Sequence, residues 1–343
     1  MSTSETFDAA GRERELLAEA NSWDTSAPVP AAHDDIPTVD IGPWLESDSP
    51  DDLREAADAL RHASETVGFY QLVGHGVDPA MIQRTFAAIK TFHEIPEAVR
   101  QQITMDRPDW PIAGVGYLPV GERKLPRRKF GNLNEAFLLK SDTSIAFDDN
   151  QWLAEADAPG FKTAVGEFAA SVEAVALRLV PVYAAALDLP TSFFDDAFAA
   201  PFWRLRMTHY PPDPPGPDGA YGIAPHVDTT FFTLLLQDSP GLTIFHEPRQ
   251  EWVEVPVIDN AFVVNSGELL RQWSNDRFLS ARHFANNTIA NNTGAASRYS
   301  IPFFFNANAD YVMECLPSCH DDDNPPKYAP VSYRASQAAV QGE

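Results

Sequence analysis

Beyond Trp203 the chain breaks into short runs rich in Phe, Val, Thr and Leu: Arg204 to Tyr210, Phe231 to Gln237, Leu242 to His246, Trp252 to Val255, Ala261 to Asn265 and Arg298 to Phe305. Gly, Pro, Asn and Asp separate them. Runs of this length are too short for stable helices and suit strands, and the regular turn signals between them predict a β sandwich or jelly roll. No internal repeat of fixed period is present.

The half before Trp203 has a different texture. Ile36-Pro37-Thr38-Val39-Asp40-Ile41 reads as a strand. Ser49-Pro50-Asp51-Asp52 then supplies an N-cap, a proline at the first helical position and acidic residues where the helix dipole favours them. The helix that follows carries Leu53, Ala56, Ala57, Leu60 and Ala63 at helical spacing and stops at Gly68, before the strand-like Phe69 to Val73. Gly74-His75-Gly76 turns the chain into a second helix from about Pro79 to Ile95. A third helical pattern runs from Thr163 to Leu189 with Val165, Phe168, Val172, Val175, Leu179, Val182 and Leu187 as its apolar stripe, and Pro181 is expected to kink or reset it. The organisation expected is a flexible leader over 1–32, an α/β region over 33–160, packing helices over 161–200, a β core over 201–310 and a C-terminal segment over 311–343.

Composition narrows the function. The chain has 343 residues, 44% of them hydrophobic, enough to bury a sizeable core. Its 49 acidic against 25 basic residues give a net charge of −24, which argues against holding a nucleic-acid backbone. Two cysteines, Cys315 and Cys319, are too few for a disulfide framework and suit a reducing compartment. The spacing of these thiols and His320 is untypical of a zinc site. No uncharged apolar run approaches the roughly 20 residues that span a bilayer, and the amino terminus lacks a basic and then apolar secretion pattern. A cytoplasmic protein without membrane or nucleic-acid partners is expected; the oligomeric state is not legible.

Within the β region, Pro225-His226-Val227-Asp228 places an imidazole and a carboxylate two residues apart, on one face if the backbone is extended. His283 follows 55 residues after Asp228. Two imidazoles and one carboxylate are the donor set of the facial triad that binds non-haem Fe(II) and leaves coordination positions open. Downstream, Arg298-Tyr299-Ser300 puts a guanidinium and a hydroxyl on one strand face, a pair suited to a carboxylate. Upstream stands Tyr210-Pro211-Pro212, a phenol at a strand end. By the same alternation His209 faces away from Tyr210, and His75 in its glycine turn reads as a hydrogen-bonded structural residue.

By these motifs the chain resembles the isopenicillin N synthase-like Fe(II)/2-oxoglutarate-dependent oxygenases. The resemblance runs from Ile36 to about Tyr333. It is carried by Ile36 to Asp40, Gly68-Phe69-Tyr70, Gly74-His75-Gly76-Val77, His226-Val227-Asp228, Leu235-Leu236-Gln237-Asp238 with Gly241-Leu242, Asn265-Ser266-Gly267-Glu268, Ser280-Ala281-Arg282-His283 and Arg298-Tyr299-Ser300. It implies a mainly β fold with flanking helices around a double-stranded β-helix (jelly roll) core. It implies His226, Asp228 and His283 as iron ligands, and Arg298, Ser300 and Tyr210 as the residues that bind 2-oxoglutarate. The activity implied is oxidation, most simply hydroxylation, of a small organic metabolite at an Fe(II) cofactor, with 2-oxoglutarate and O2 consumed and succinate and CO2 released. Three positions depart from the family pattern: Thr208 stands where many members have Asn, Gly267-Glu268 where they have Gly-Asp, and Phe284 where an Arg often follows the histidine.

Two other readings share the same residues. Isopenicillin N synthase itself uses a matching Arg-x-Ser for its substrate's carboxylate and needs no 2-oxoglutarate, and a jelly roll can also be a non-catalytic ligand binder. For the substrate pocket, the sequence offers Phe304 and Asn306 just beyond the Arg-x-Ser and Phe231 after the metal motif. It also offers the basic loop Arg123 to Lys129, where Arg127 and Arg128 either meet an anionic substrate group over the mouth of the site or belong to a solvated loop that pairs with acidic neighbours.

Overall fold

The computed structural model describes residues 25, 28–105, 107–123, 130–212, 220–289 and 292–336. Its strands are, in chain order, β1 (Val29–Pro30), β2 (Thr38–Asp40), β3 (Phe69–Val73), β4 (Gly116–Leu118), β5 (Glu135–Ser141), β6 (Phe202–Tyr210), β7 (Ile223–His226), β8 (Phe232–Gln237) and β9 (Leu242–His246). They continue with β10 (Glu251–Glu254), β11 (Phe262–Ser266), β12 (His283–Ala285), β13 (Thr288–Ile289), β14 (Asn292–Thr293), β15 (Arg298–Asn306), β16 (Val312–Met313) and β17 (Val331–Ser332). Two sheets face one another. The larger runs β2-β3-β11-β8-β15-β6-β5-β4 and the smaller β1-β10-β9-β12-β7.

The central four of the larger sheet, β11-β8-β15-β6, and four of the smaller, β10-β9-β12-β7, are antiparallel throughout. Together they make the double-stranded β-helix expected from the motifs. The other strands extend the larger sheet at both ends, so its core strands have both faces covered, and β15 is buried along nearly its whole length. The helices Pro50–Thr66, Pro79–Glu94 and Phe161–Ala186 pack together behind this sheet. There Leu60, Phe92, Val165, Val172 and Leu179 join Leu234, Ile301 and Phe303 in one apolar core. A second apolar cluster, including Phe69, Leu242, Ile244 and Val263, fills part of the space between the sheets.

Several expectations need revision. The leader is anchored at its end, because Val29–Pro30 pairs in parallel with Val253 and Glu254 at the edge of the smaller sheet. Pro181 does not interrupt its helix, which runs unbroken from Phe161 to Ala186. The carbonyl that loses its donor belongs to Leu177, which is 39% exposed, so water can replace the missing bond. By length and composition this helix is apolar enough to cross a bilayer, but its stripe is buried inside the fold. Strands β4, β5, β7 and β12 were not legible. β5 reads Glu-Ala-Phe-Leu-Leu-Lys-Ser without alternation, and β7 contains Pro225, tolerated because β7 is an edge strand.

Candidate functional site

Three side chains converge between the sheets. His226 ends β7 and His283 opens β12; the two strands pair with these histidines opposite one another, and the rings lie 4.3 Å apart. Asp228 follows two residues after β7 ends. Its Oδ1 lies 3.6 Å from Nε2 of His226 and 3.8 Å from Nε2 of His283, and the ligand atoms of all three residues fall within 4.8 Å of one another.

The surroundings fix which atom of each residue faces the centre. Nδ1 of His226 donates to the Ala224 carbonyl at 2.9 Å and Nδ1 of His283 to the Ala281 carbonyl at 3.1 Å. Both Nε2 lone pairs are therefore left for a ligand. The Asp228 Oδ2 accepts from the Thr233 hydroxyl at 2.7 Å and the Asn265 amide at 2.9 Å, which leaves Oδ1 to point at the imidazoles. Burial lowers the His283 pKa to about 4, with the His226 ring adding to the effect, so His283 is neutral at physiological pH. Burial opposes the charge on Asp228, but the His283 and His226 imidazoles and the Asn265 amide outweigh it and hold the carboxyl well below the usual carboxylate range. Two neutral nitrogens and one anionic oxygen with three open directions could hold a divalent transition metal.

Beside this trio, Tyr210, Arg298 and Ser300 line the same cavity. Arg298 and Tyr210 are directly cross-strand on β15 and β6, and the guanidinium lies over the phenol ring at 4.6 Å. Arg298 is 1% exposed. Its Nε donates to the Ser239 carbonyl at 3.1 Å and one Nη to Gln237 Oε1 at 2.9 Å, while Nη1 is buried with no partner among the described residues. A buried guanidinium nitrogen without an acceptor is costly unless an anion completes it. The other walls are mainly apolar, with Phe69, Ile223, Leu235, Leu242, Phe284, Pro302 and Phe304.

Not every residue singled out from the sequence lines this space. Phe304 does. Phe231 is a correction: it precedes β8, so the alternation that points Thr233 and Leu235 inward does not extend to it. Its ring packs among Phe194, Phe198 and Trp273 in the helical core. Asn306 is another: it is fully buried and its Oδ1 accepts from the Phe231 backbone at 3.1 Å, which makes it a brace rather than a wall. Arg127 and Arg128 lie outside the described residues. His75 is structural, with Nε2 on the Asn260 carbonyl at 2.6 Å and Nδ1 accepting from Val77 at 3.1 Å.

The sequence reading missed Asn265, Thr233 and Gln237, which orient the others, and also Arg206. Arg206 sits on the β6 face that carries Thr208 and Tyr210. It is 6% exposed, donates to Thr208 Oγ1 at 3.1 Å and to Asn134 Oδ1, and has no carboxylate partner among the described residues. Burial, then the nearby Arg123 and Arg204, push its pKa down to about 9. Thr208, where many relatives of this motif carry Asn, is thus committed to Arg206. The signal available was Arg204 and Arg206 in an apolar strand, a pattern that costs desolvation unless used.

A second group of metal-capable donors, His93, Glu135 and His209, lies behind the larger sheet. It already contains its cation. Arg100 and the Tyr117 hydroxyl donate to one Glu135 oxygen, and His209 Nδ1 donates to the other at 2.7 Å.

The family model described as the 2OG-Fe(II) oxygenase superfamily matches residues 202–307, and the one described as non-haem dioxygenase in morphine synthesis N-terminal matches residues 36–155. A 2-oxoglutarate-Fe(II) type oxidoreductase of Emericella nidulans is 30% identical over 310 residues, 86% of this chain and 86% of that protein. One of Aspergillus fumigatus is 32% identical over 289 residues, 80% of this chain and 83% of its own length. Among solved structures, a full-length Neurospora crassa protein in complex with alpha-KG has a TM-score of 0.79 at 24% identity, covering 92% of this chain and 98% of that one. That likeness is one of fold.

Proposed function

Because the chain belongs to the 2-oxoglutarate-Fe(II) oxygenase superfamily, we propose that His226, Asp228 and His283 hold the iron and that Arg298, Ser300 and Tyr210 hold the distal carboxylate of 2-oxoglutarate. The observation that carries this reading is the unpartnered, buried Nη1 of Arg298 beside three oriented metal donors. Iron and 2-oxoglutarate, when bound, would supply the oxidising chemistry, in which one atom of O2 ends in the succinate formed with CO2 from 2-oxoglutarate and the other enters the substrate. The protein's own residues do the rest. Thr233 and Asn265 keep Asp228 in one orientation, and the Ala224 and Ala281 carbonyls keep both imidazoles in the ligating tautomer. Phe69, Leu235, Leu242 and Phe284 exclude water, which strengthens every charged contact inside.

The substrate that fits is a small metabolite with an apolar body and one anionic or carbonyl group, hydroxylated at a carbon held over the metal. Arg206 supports this reading, as a buried guanidinium with neutral partners on the β6 face that also carries Tyr210. The test is a metabolite screen with Fe(II)-loaded protein that follows succinate formation and substrate-triggered O2 uptake. Acidic or carbonyl compounds are expected as hits, and Arg206→Met should raise KM for the hit at least tenfold while slow substrate-free turnover of 2-oxoglutarate persists. Hits confined to neutral hydrocarbons, or an unchanged KM, would refute the substrate assignment.

A further inference from the structure

The two strands that carry Tyr210, Arg298 and Ser300 toward the cavity present a different set of residues behind the sheet. His209 and Tyr299 are directly cross-strand, between the pairs Tyr210 with Arg298 and Thr208 with Ser300, and Glu135 on β5 is paired with His209 from the other side. His209 joins all three segments. Its Nδ1 donates to Glu135 Oε1 at 2.7 Å, its Nε2 accepts from the Ser297 hydroxyl at 2.9 Å, and its ring stacks on Tyr299 at 4.7 Å and 12°. Ser297 immediately precedes Arg298, and Tyr299 lies between Arg298 and Ser300. The contacts of His209 with Ser297 and Tyr299 therefore fall within one residue of groups that face the cavity.

The anchor for this connection is rigid. Glu135 also accepts from Arg100 and Tyr117, with His93 Nδ1 3.4 Å away, and every member of the group is buried. A buried carboxylate with this many charged or polar donors has a single favourable geometry, so it fixes what is tied to it. A purely packing role would be filled as well by an apolar side chain. Instead the chain buries a charge network on the reverse of the strands where β6 ends at Tyr210 and β15 begins at Arg298.

We infer that His209, tied to Glu135 and Ser297, is a positioning residue that sets the affinity for 2-oxoglutarate by holding Tyr210, Arg298 and Ser300 in register from behind the sheet. This rests on the assignment of those three residues to the 2-oxoglutarate carboxylate. Ser297→Ala removes one link while leaving the Glu135 group whole, and His209→Phe removes both hydrogen bonds while keeping the stack on Tyr299.

The experiment titrates 2-oxoglutarate into Fe(II)-loaded protein under argon, by calorimetry and by the visible charge-transfer band of the chelate. Ser297→Ala is expected to weaken binding about threefold and His209→Phe at least tenfold. Iron affinity and the substrate KM should stay within twofold of wild type. Equal 2-oxoglutarate affinity in wild type and Ser297→Ala, together with a folded His209→Phe that also binds normally, would overturn the inference, as would parallel losses of iron, substrate and 2-oxoglutarate binding in Ser297→Ala. A wild type that gives neither heat nor band with 2-oxoglutarate would overturn the carboxylate assignment, and this inference with it.

Discussion

Whether Arg298 can point into the cavity is decided by a missing methyl group at position 241. A Cβ built there would stand 2.3 Å from Arg298 Nε and 2.5 Å from the Asn286 carbonyl, so one of them must move. The carbonyl belongs to a backbone that itself bonds Gly241, with Asn286 N on the Gly241 carbonyl at 2.9 Å. The guanidinium is the part free to give way. Gly241→Ala is therefore expected to raise the Kd for 2-oxoglutarate more than tenfold while iron binding is unchanged, measured by the same anaerobic titration. An unaltered Kd would show that the loop, not Arg298, absorbs the methyl group. Asp228 works by the same logic of single atoms, since its two oxygens have separate duties.

Secondary-structure elements differ in how their ends are tied. At the C-terminal end of the long helix Phe161–Ala186, the backbone N–H groups of Leu187, Asp188 and Leu189 bond the carbonyls of Tyr183, Ala184 and Ala185. Arg61 adds to them, its Nε donating to the Ala186 carbonyl at 2.7 Å and its Nη2 to the Ala185 carbonyl at 3.2 Å and to Asp188 at 2.7 Å. One side chain from the helix Pro50–Thr66 thus joins two helices and offsets the negative end of a helix dipole. The guanidinium is part-exposed, at 29%, so its worth is at the low end for a charged hydrogen bond. Arg61→Ala is expected to cost about 1 kcal/mol in a denaturant titration, with an unchanged midpoint marking the contact as energetically idle. Pro181 in the same helix shows why local rules misplace breaks: the proline rule sets a cost for one carbonyl but cannot say whether water reaches it.

At the scale of the whole molecule, burial makes the fold sensitive to acid. His93, His75 and His283 each have a native pKa below the ordinary imidazole value, chiefly through burial. The native state therefore binds fewer protons than the unfolded chain below about pH 6.5, so stability is complete above that pH and is lost as the pH falls toward the native values, about 4 for His283. Glu135 adds a second window. Burial opposes its charge, but hydrogen bonds from His209, His93 and Tyr117 prevail and hold it far below the usual carboxylate range, so its contribution is present above about pH 4.5 and lost below. The Tm of the metal-free protein is expected to fall from pH 7 to 5 and more steeply below, and His93→Gln should flatten the upper part; a flat profile from 7 to 5 would contradict this. The charge of −24 is a property of the outside and says little about the interior, where Arg206 and Arg298 are buried.

What the sequence determined by itself was local and periodic. Turn residues spaced between short apolar runs fixed most strands of the β-helix, with Leu242–His246 and Phe69–Val73 matching residue for residue. The ordered motifs were enough to single out His226, Asp228, His283, Tyr210, Arg298 and Ser300, because metal and carboxylate chemistry restricts residue types as well as spacing. Tertiary structure alone decided which faces those residues share with others. Asn265, Thr233 and Gln237 look like ordinary polar strand residues until β11, β8 and β15 pair and bring them to Asp228 and Arg298. Phe231 sits beside site residues in the chain and yet packs in the core, because it lies just before the β8 ladder, whereas Asn306, on the last rung of β15, is held by the Phe231 backbone. The pairing of His209 with Glu135, 74 residues away in sequence, is a product of register between β5 and β6. Sequence specifies chemistry and period, whereas register and burial arise only when distant strands meet, and they determine which of those groups act together.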